Sequence, residues 1–367
     1  MDLLRTVEGL LPGQAVLPIP ISYTCNLSLG GTTDILADAD AHMYSFGNYI
    51  LALQIANEYI DAGHPVPAGF IVNPDFLGSV QQANFAPTYA MPVRAPLQSA
   101  LDYRQIVATI PASITEDIKG YVAAVNWLTR TVAPDVSFGW QINLWGMGYS
   151  EWIYDDTDPV TEAQATADYI ETLAVYSGDY KPDFLAIDRY EADDFTQRGY
   201  TNGYCYGPRE WARYFDFCEG VSRALKLPVM PWQIPASRTP NTADQVNPGF
   251  DSQHWGTGGS CILGDPQIGS DYHHVNPTIL ALQFNPAFPM MGATAEDMFI
   301  RSEPFDISAP MYTDFPQRGI FAVLLGGGST TGLVSSIGNP ESWPRDKTAA
   351  YMNDPIPFDD SGSRRRK

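Results

Sequence analysis

Basic residues are scarce in this sequence. Lys and Arg together number 21 against 42 Asp and Glu, which gives a formal net charge of -21. Such an acidic surface repels phosphate backbones and anionic lipid headgroups. The one basic cluster, Arg364 to Lys367, ends a polar stretch that we interpret as a disordered tail over 356–367, with a binding motif as the alternative. We therefore expect no nucleic acid and no membrane among the partners.

Long hydrophobic runs are missing as well. No apolar stretch reaches the roughly 18 residues that span a bilayer. The first residues also lack the basic segment and apolar core of a signal peptide. We expect a secreted, extracellular protein from which any signal peptide has been removed.

Cysteine is rare, and the four cysteines form no Cys-x-x-Cys pair. They leave open one or two disulfides, of which Cys205 to Cys218 is the easier loop to close. Four buried free thiols are the alternative. The four positions are Cys25, Cys205, Cys218 and Cys261.

Motifs of several enzyme classes are absent. The five histidines show no His-Glu-x-x-His spacing, and no Gly-x-Ser-x-Gly elbow occurs. No glycine-rich phosphate-binding turn follows the first apolar run, which disfavours a nucleotide site. The neighbours His273 and His274 keep a zinc site open as a minor alternative. We expect no cofactor, with a structural calcium ion as the alternative.

Apolar runs alternate with amphipathic segments along most of the chain. Hydrophobic residues make up 44% and charged residues 17%, which suits a large buried core. Parallel strands connected by helices follow from this alternation, and the sequence predicts an α/β fold, a (β/α)8 TIM-like barrel with long loop insertions in a single catalytic domain over 1–355. An open doubly wound sheet is the alternative. The predicted strands are Ala15–Tyr23, Ala68–Val72, Val136–Trp145, Asp183–Asp188, Pro228–Ile234, Ile320–Leu325 and, more weakly, Ile279–Phe284.

Two capping boxes mark expected helix starts. Ser113 to Glu116 predicts a helix through Arg130, and Thr161 to Gln164 predicts a helix through Tyr176. A further helix is expected from Pro208, since proline favours the first helical turn.

Carboxylates cluster where the fourth predicted strand ends, in Asp188-Arg-Tyr-Glu191-Ala-Asp-Asp. Glycoside hydrolysis needs a carboxylic acid and a second carboxylate, roughly 5 to 9.5 Å apart. Glu191 is the expected general acid and Asp188 its charged partner. The alternatives are a salt bridge, a cap or a calcium site. Asp75, after the second strand, is another catalytic candidate, although Asn-Pro-Asp is also an ordinary turn.

Aromatic and amide side chains follow several predicted strands. An indole can stack on the apolar face of a sugar, while Gln and Asn bond its hydroxyls. Filling of the core is the alternative for any one tryptophan. The predicted substrate-binding residues are Gln141, Asn143, Trp145, Tyr190, Trp232, Gln233 and Trp255.

The segments DFLAIDRYE (183–191) and MPWQIP (230–235) resemble strand ends of barrel-type glycoside hydrolases, and the resemblance extends from about residue 15 to 332. It is architectural: the sequence has neither the Asn-Glu-Pro of retaining cellulases and mannanases nor the Asp-x-Asp-x-Glu of chitinases. With these residues we predict an endo-acting, cellulase-like β-glucanase that degrades a polysaccharide, and the chain length and acidic surface suggest a monomer. The alternatives are a non-catalytic carbohydrate-binding barrel and a metal-dependent polysaccharide hydrolase or deacetylase using Asp75, His273 or His274.

Overall fold

The computed structural model describes residues 2–11, 13–189, 203, 205–235, 238–242, 257–326 and 342–356. The chain divides into two compact units. The first comprises 1–149, 164–187 and 225–227, and the second comprises 150–163, 188–224 and 228–367. The single domain over 1–355 and the tail over 356–367 stay predictions, and residues 357–367 lie outside the described part of the chain.

Helices and strands alternate as the sequence predicts. The strands are β1 Ile21–Ser22, β2 Gly69–Val72, β3 Ser137–Ile142, β4 Phe184–Asp188 and β5 Val229–Trp232. The helices are α1 Asp2–Gly9, α2 Thr32–Ala37, α3 Ala39–Asn57, α4 Phe76–Gln82, α5 Arg94–Tyr103, α6 Ile118–Val132, α7 Pro159–Thr172, α8 Pro208–Leu225, α9 Gly258–Leu263, α10 Pro277–Leu280, α11 Ala295–Ile300 and α12 Ser342–Asn353.

The five strands form one sheet in the order β1-β2-β3-β4-β5. The pairs from β1 to β4 are parallel, with Ile71 opposite Gly139 and Gly139 opposite Phe184 in register. The α/β class and the parallel sheet are thus confirmed. Among the described residues the sheet is open, so they do not show the closure of the predicted eight-stranded barrel.

In the first unit, β3 separates two environments because successive side chains of a strand point to opposite faces. Phe138 packs under a guanidinium group of α6, 4.7 Å from its ring centroid. Trp140 donates its indole N–H to an amide oxygen of α6 over 2.8 Å. The opposite face of β3 and its extension carries Gly139, Gln141 and Asn143.

In the second unit, the segment 320–326 runs parallel to β5. The backbone N–H groups of Phe321, Leu324 and Gly326 donate to carbonyls of β5 or its extension over 2.7 to 3.0 Å. The prediction that Ile320–Leu325 is strand-like is therefore supported by this pairing. Helix α8 begins with Pro208 in its first turn, as predicted, and buries Trp211, Tyr214 and Phe215.

Three local predictions are wrong. Helix α6 begins after Asp117, and Glu116 instead accepts the backbone N–H of Val93 at the start of α5, 2.6 Å away. Helix α7 begins at Pro159, because Asp158 accepts hydrogen bonds from the residues of the first turn, and it ends at Thr172. The weak strand 279–284 overlaps the short helix α10, whose N-terminal turn is capped by Asn276.

Asp117→Ala is expected to destabilise the first unit by about 1 kcal/mol, because its carboxylate caps α6 by accepting the Gly120 N–H over 2.7 Å. Asp135→Ala is the matched control, since Asp135 is exposed just beyond the other end of the helix. Urea unfolding measures both variants. Equal unfolding midpoints would contradict the assigned cap.

All four cysteines are buried and none is in a disulfide bond. Of the two alternatives that the sequence leaves open, the structure shows buried thiols. Burial raises the pKa of the Cys25 thiol to about 12 and the pKa of Cys218 further still. Both thiols are therefore protonated at neutral pH.

Across the described helices, none is long and apolar enough to cross a membrane.

Candidate active site

The end of β2 is strained. Asn73 and Asp75 both have left-handed backbones, with φ of 50° and 66°, and Pro74 separates them. Each such non-glycine residue costs on the order of 1 to 3 kcal/mol, and this strain concentrates at functional sites.

Asn73 connects the ends of β1 and β2. Its side-chain oxygen accepts the backbone N–H of Thr24 (2.7 Å), the hydroxyl of Thr24 (2.9 Å) and the backbone N–H of Cys25 (3.1 Å). The Thr24 hydroxyl also contacts the Tyr121 hydroxyl. All of these groups are buried, so the position of Asn73 is determined by several partners at once.

Asp75 lies between two amides from the end of β3. Its backbone N–H donates to the Gln141 side-chain oxygen over 2.8 Å, and its carboxylate accepts the Asn143 side-chain N–H over 2.8 Å. These bonds fix which way each amide points, since a carboxylate can only accept and a backbone N–H can only donate. Both bonds come from the face of β3 that is turned away from α6.

Asp75 is largely buried, and part of its surface is exposed to solvent. Burial raises its pKa above the ordinary value for aspartate, and the Asn143 N–H partly opposes that rise because it stabilises the charged form. Although Asp75 is at the N-cap of α4, it makes no side-chain cap bond. The carboxyl is thus directed to Asn143, and its pKa lies above the ordinary value for aspartate.

Two amide atoms beside Asp75 have no hydrogen-bond partner among the described residues. They are the side-chain nitrogen of Gln141 and the side-chain oxygen of Asn143, both buried. An unpaired buried polar atom costs about 1 to 3 kcal/mol. Each amide thus makes one hydrogen bond that orients Asp75, although its other polar atom has no partner among the described residues.

Aromatic side chains follow the same strand ends. Trp145 is half-buried in the 3-10 segment Leu144–Met147, directly after Asn143. Tyr149, four residues on, is 46% exposed, and Tyr23, which follows β1, is 43% exposed. Exposed aromatic surface after two strands of this unit is what stacking on a sugar ring requires.

In the second unit, Asp188 is the last residue of β4 and Arg189 follows it, and both are buried. The Arg189 guanidinium lies 3.5 Å from the ring centroid of Tyr206, a close cation–π contact, and its backbone N–H donates to the Trp232 carbonyl over 3.1 Å. The Trp232 indole is 2% exposed. In this structure Trp232 packs in the core, and its predicted role as a sugar platform stays a prediction.

Gln233, which follows Trp232, is a third left-handed residue at a strand end, with φ of 55°. It is partly exposed. Its backbone conformation gives it the same structural signature as Asn73 and Asp75, and its role in substrate binding stays a prediction.

Glu210 is a buried carboxyl that no sequence pattern singles out. It is fully buried in the first turn of α8, where it accepts the backbone N–H of Gly207 over 2.9 Å. Burial raises its pKa, and Arg301, 3.3 Å away, opposes the rise. Because no surface of Glu210 reaches solvent, we assign it to capping α8.

The predicted residues Tyr190, Glu191 and Trp255 lie outside the described residues. Their roles stay predictions. The His273 ring donates its Nδ1–H to the Asp271 carboxylate over 2.8 Å, and Nδ1 of His274 contacts the Ile268 carbonyl at 3.0 Å. In the described part of the chain, no group of three or more His, Cys, Asp and Glu side chains could hold a metal ion.

The second unit also contains an apolar cavity of about 300 Å³. Its lining carries no carboxyl or amide side chain among the described residues, so it does not supply the groups for hydrolysis. The lining is Ile262, Leu263, Tyr312, Phe315, Pro316, Ile320, Phe321, Ala322, Val323, Leu325, Thr348, Tyr351 and Ile356.

Comparisons with known proteins give a narrow result. No protein-family model matches the chain, and no curated protein matches it in sequence. Among solved structures, endoglucanase CEL6B from Humicola insolens aligns with 63% of this chain and 59% of its own, at 12% identity and a TM-score of 0.32. The match thus spans less than two thirds of that protein. A likeness at this level carries no argument about activity.

Part of this site is predicted from the sequence. Asp75, Gln141 and Asn143 were selected from their positions after apolar runs, and the structure brings all three together. The sequence did not reveal Asn73, Thr24 and Tyr121 as partners, because their contacts join positions 49 and 97 residues apart. The one available signal was a second polar cluster, Thr24-Cys25-Asn26, after the first strand.

Proposed function

We propose that this protein is a secreted, monomeric glycoside hydrolase that acts on a polysaccharide, with Asp75 as its general acid. The substrate class that we propose is a β-glucan, cut internally as in cellulases. A closed (β/α)8 barrel that contains the described sheet belongs to the same proposal.

The observation that carries the proposal is the environment of Asp75. A general acid must hold a proton near neutral pH and must be accessible to the leaving oxygen. Burial raises the pKa of Asp75, and part of its surface remains exposed. Functional groups of parallel α/β proteins gather at the carboxyl ends of strands, where Asp75 follows β2.

The surroundings supply the remaining chemistry. Trp145 and the exposed Tyr149 offer aromatic surface in the same unit. A pyranose ring presents an apolar face that suits such surface. The sequence alone supports an alternative acid pair, with Glu191 as the general acid and Asp188 as its charged partner, and that pair stays a proposal beside Asp75.

Reducing-sugar release from soluble and insoluble polysaccharides tests the proposal. We expect release from a β-glucan by the wild type and a loss of about a hundredfold or more in Asp75→Asn, the range that a general acid contributes. Asp135→Asn is the control for an exposed aspartate. Asp188→Asn and Glu191→Gln, made separately, test the alternative pair: release lost in both of these variants and kept in Asp75→Asn would assign catalysis to Glu191 and Asp188.

The outcomes separate the candidate functions. Release that survives Asp75→Asn would remove Asp75 from catalysis. Binding of a polysaccharide without release by the wild type would favour the non-catalytic carbohydrate-binding alternative. Activity lost on dialysis against a strong chelator would favour the metal-dependent alternative.

A further inference from the structure

Asp75 and Asn143 occupy equivalent places on two short helical segments. Asp75 is the N-cap of α4, and Asn143 is the N-cap of the 3-10 segment Leu144–Met147. Asp and Asn are strong capping residues that normally accept a backbone N–H of their own helix. Neither side chain caps its own segment here, and the two bond to each other instead.

Two glycines let these segments approach closely. A Cβ on Gly146 would lie 3.5 Å from the Gly78 Cα, which puts the two backbones in direct contact. A Cβ on Gly78 would lie 2.8 Å from Cβ and Cγ of Asn143 and closer still to its side-chain oxygen. Real Cβ atoms do not tolerate such distances, so any side chain at 78 must displace Asn143.

Neither glycine is needed for its backbone conformation. Gly78 and Gly146 both lack a positive φ, unlike Gly148 nearby. Helix interiors also disfavour glycine by roughly 0.5 to 1 kcal/mol relative to alanine. The reason for glycine at these positions is therefore the space that they leave, and that space is filled by Asn143 and by Gln81.

We propose that Gly78 is a positioning residue: its missing side chain leaves the space in which the Asn143 amide lies against the Asp75 carboxyl, and Gly146 lets the two segments approach that closely. This inference rests on the proposed function for its catalytic consequence, because the group being positioned is the proposed general acid. The geometry of the contact itself is independent of any activity.

The test is the titration of the Asp75 carboxyl, followed by NMR of the carboxyl carbon and assigned by its loss in Asp75→Asn. Asn143→Ala removes a hydrogen bond that favours the charged form, so its titration midpoint should move to higher pH. Gly78→Ala should move the midpoint in the same direction. Gly146→Ala should move it less, since the added Cβ meets mainly the flexible Gln81 side chain.

Gly47→Ala is the matched control. Gly47 is a buried helical glycine of the same unit, and an added Cβ there meets atoms only at 3.9 Å. Its midpoint should equal that of the wild type. An unchanged midpoint in Asn143→Ala, or a shift in Gly78→Ala no larger than in Gly47→Ala, overturns the proposal.

A double variant covers the case in which Gly78→Ala folds poorly. In the Asn143→Ala background two of the three close contacts are gone, so adding Gly78→Ala should lower the urea midpoint less than it does in the wild type. An equal decrease of the urea midpoint in both backgrounds would overturn the assigned contact between position 78 and the Asn143 side chain.

The titration and the sugar assay fail independently. Midpoints that move as expected in a protein that releases no sugar would retain the positioning role and remove the glycosidase. Sugar release by a protein whose Asp75 midpoint does not move in the variants would retain the glycosidase and remove the positioning role. If both hold, the basic limb of the pH–rate profile should move to higher pH in Asn143→Ala, because a general acid works only while protonated.

Discussion

Asp75→Asn is expected to make the protein more stable at neutral pH while removing its proposed activity. The folded state raises the pKa of Asp75 above its ordinary value of 3.8, chiefly because the carboxyl is buried. Between that value and the raised pKa the folded state binds more protons than the unfolded chain, so stability falls as pH rises through this window. Asparagine carries no charge and keeps an oxygen for the Asn143 N–H.

The expected gain at pH 7 is about 1 kcal/mol, typical of relieving a destabilising group at a functional site. Below the ordinary carboxyl pKa both proteins carry a neutral side chain at position 75, and the difference should vanish. Urea unfolding at several pH values measures this dependence, with Asp135→Asn as the exposed control. A variant less stable than the wild type at pH 7 would show that the Asp75 charge is stabilised by its surroundings.

Gly139→Ala should be among the most destabilising small substitutions in the chain, with an expected loss of about 3 kcal/mol. Gly139 pairs with Phe184 of β4, and an added Cβ would lie 2.5 to 2.6 Å from the Phe184 ring and its backbone oxygen. A backbone oxygen within a sheet cannot move aside as a flexible side chain can. The strands must separate, and that movement reaches Gln141, two residues along the same face.

The midpoint of urea unfolding and the near-UV signal of the buried tryptophans measure this effect. Gly47→Ala again serves as the control, and a helical position there should be neutral or slightly stabilising in alanine. A Gly139→Ala protein as stable as this control would mean that the β3–β4 pairing is looser than the structure shows.

The sequence predicted the strands better than the helix starts. Buried parallel strands read as apolar runs whatever surrounds them, so Gly69–Val72 and Phe184–Asp188 were found within a residue. A helix start depends on which of several polar side chains accepts the first backbone N–H groups. At α6 this side chain is Asp117, because Glu116 accepts the N–H of the distant Val93.

For the candidate site, too, the sequence predicts local features but not the partners of each residue. A polar residue after an apolar run is a local signal, and it selected Asp75, Gln141 and Asn143. Their mutual bonds connect positions 66 and 68 residues apart, and no local pattern encodes which partner each will have. The glycines show the limit most clearly: in the sequence Gly78 only weakens a helix, and its use becomes visible once Asn143 is beside it.

The buried thiols have a practical consequence for watching this molecule move. A protonated, enclosed thiol does not react with alkylating reagents, so labelling at each cysteine reports the rate at which its surroundings open. Cys25 is adjacent to Thr24 in the first unit, whereas Cys205, Cys218 and Cys261 belong to the second. Labelling of these thiols can therefore follow the opening of each unit separately, and labelling of Cys25 reports how often the bonds around Asn73 break.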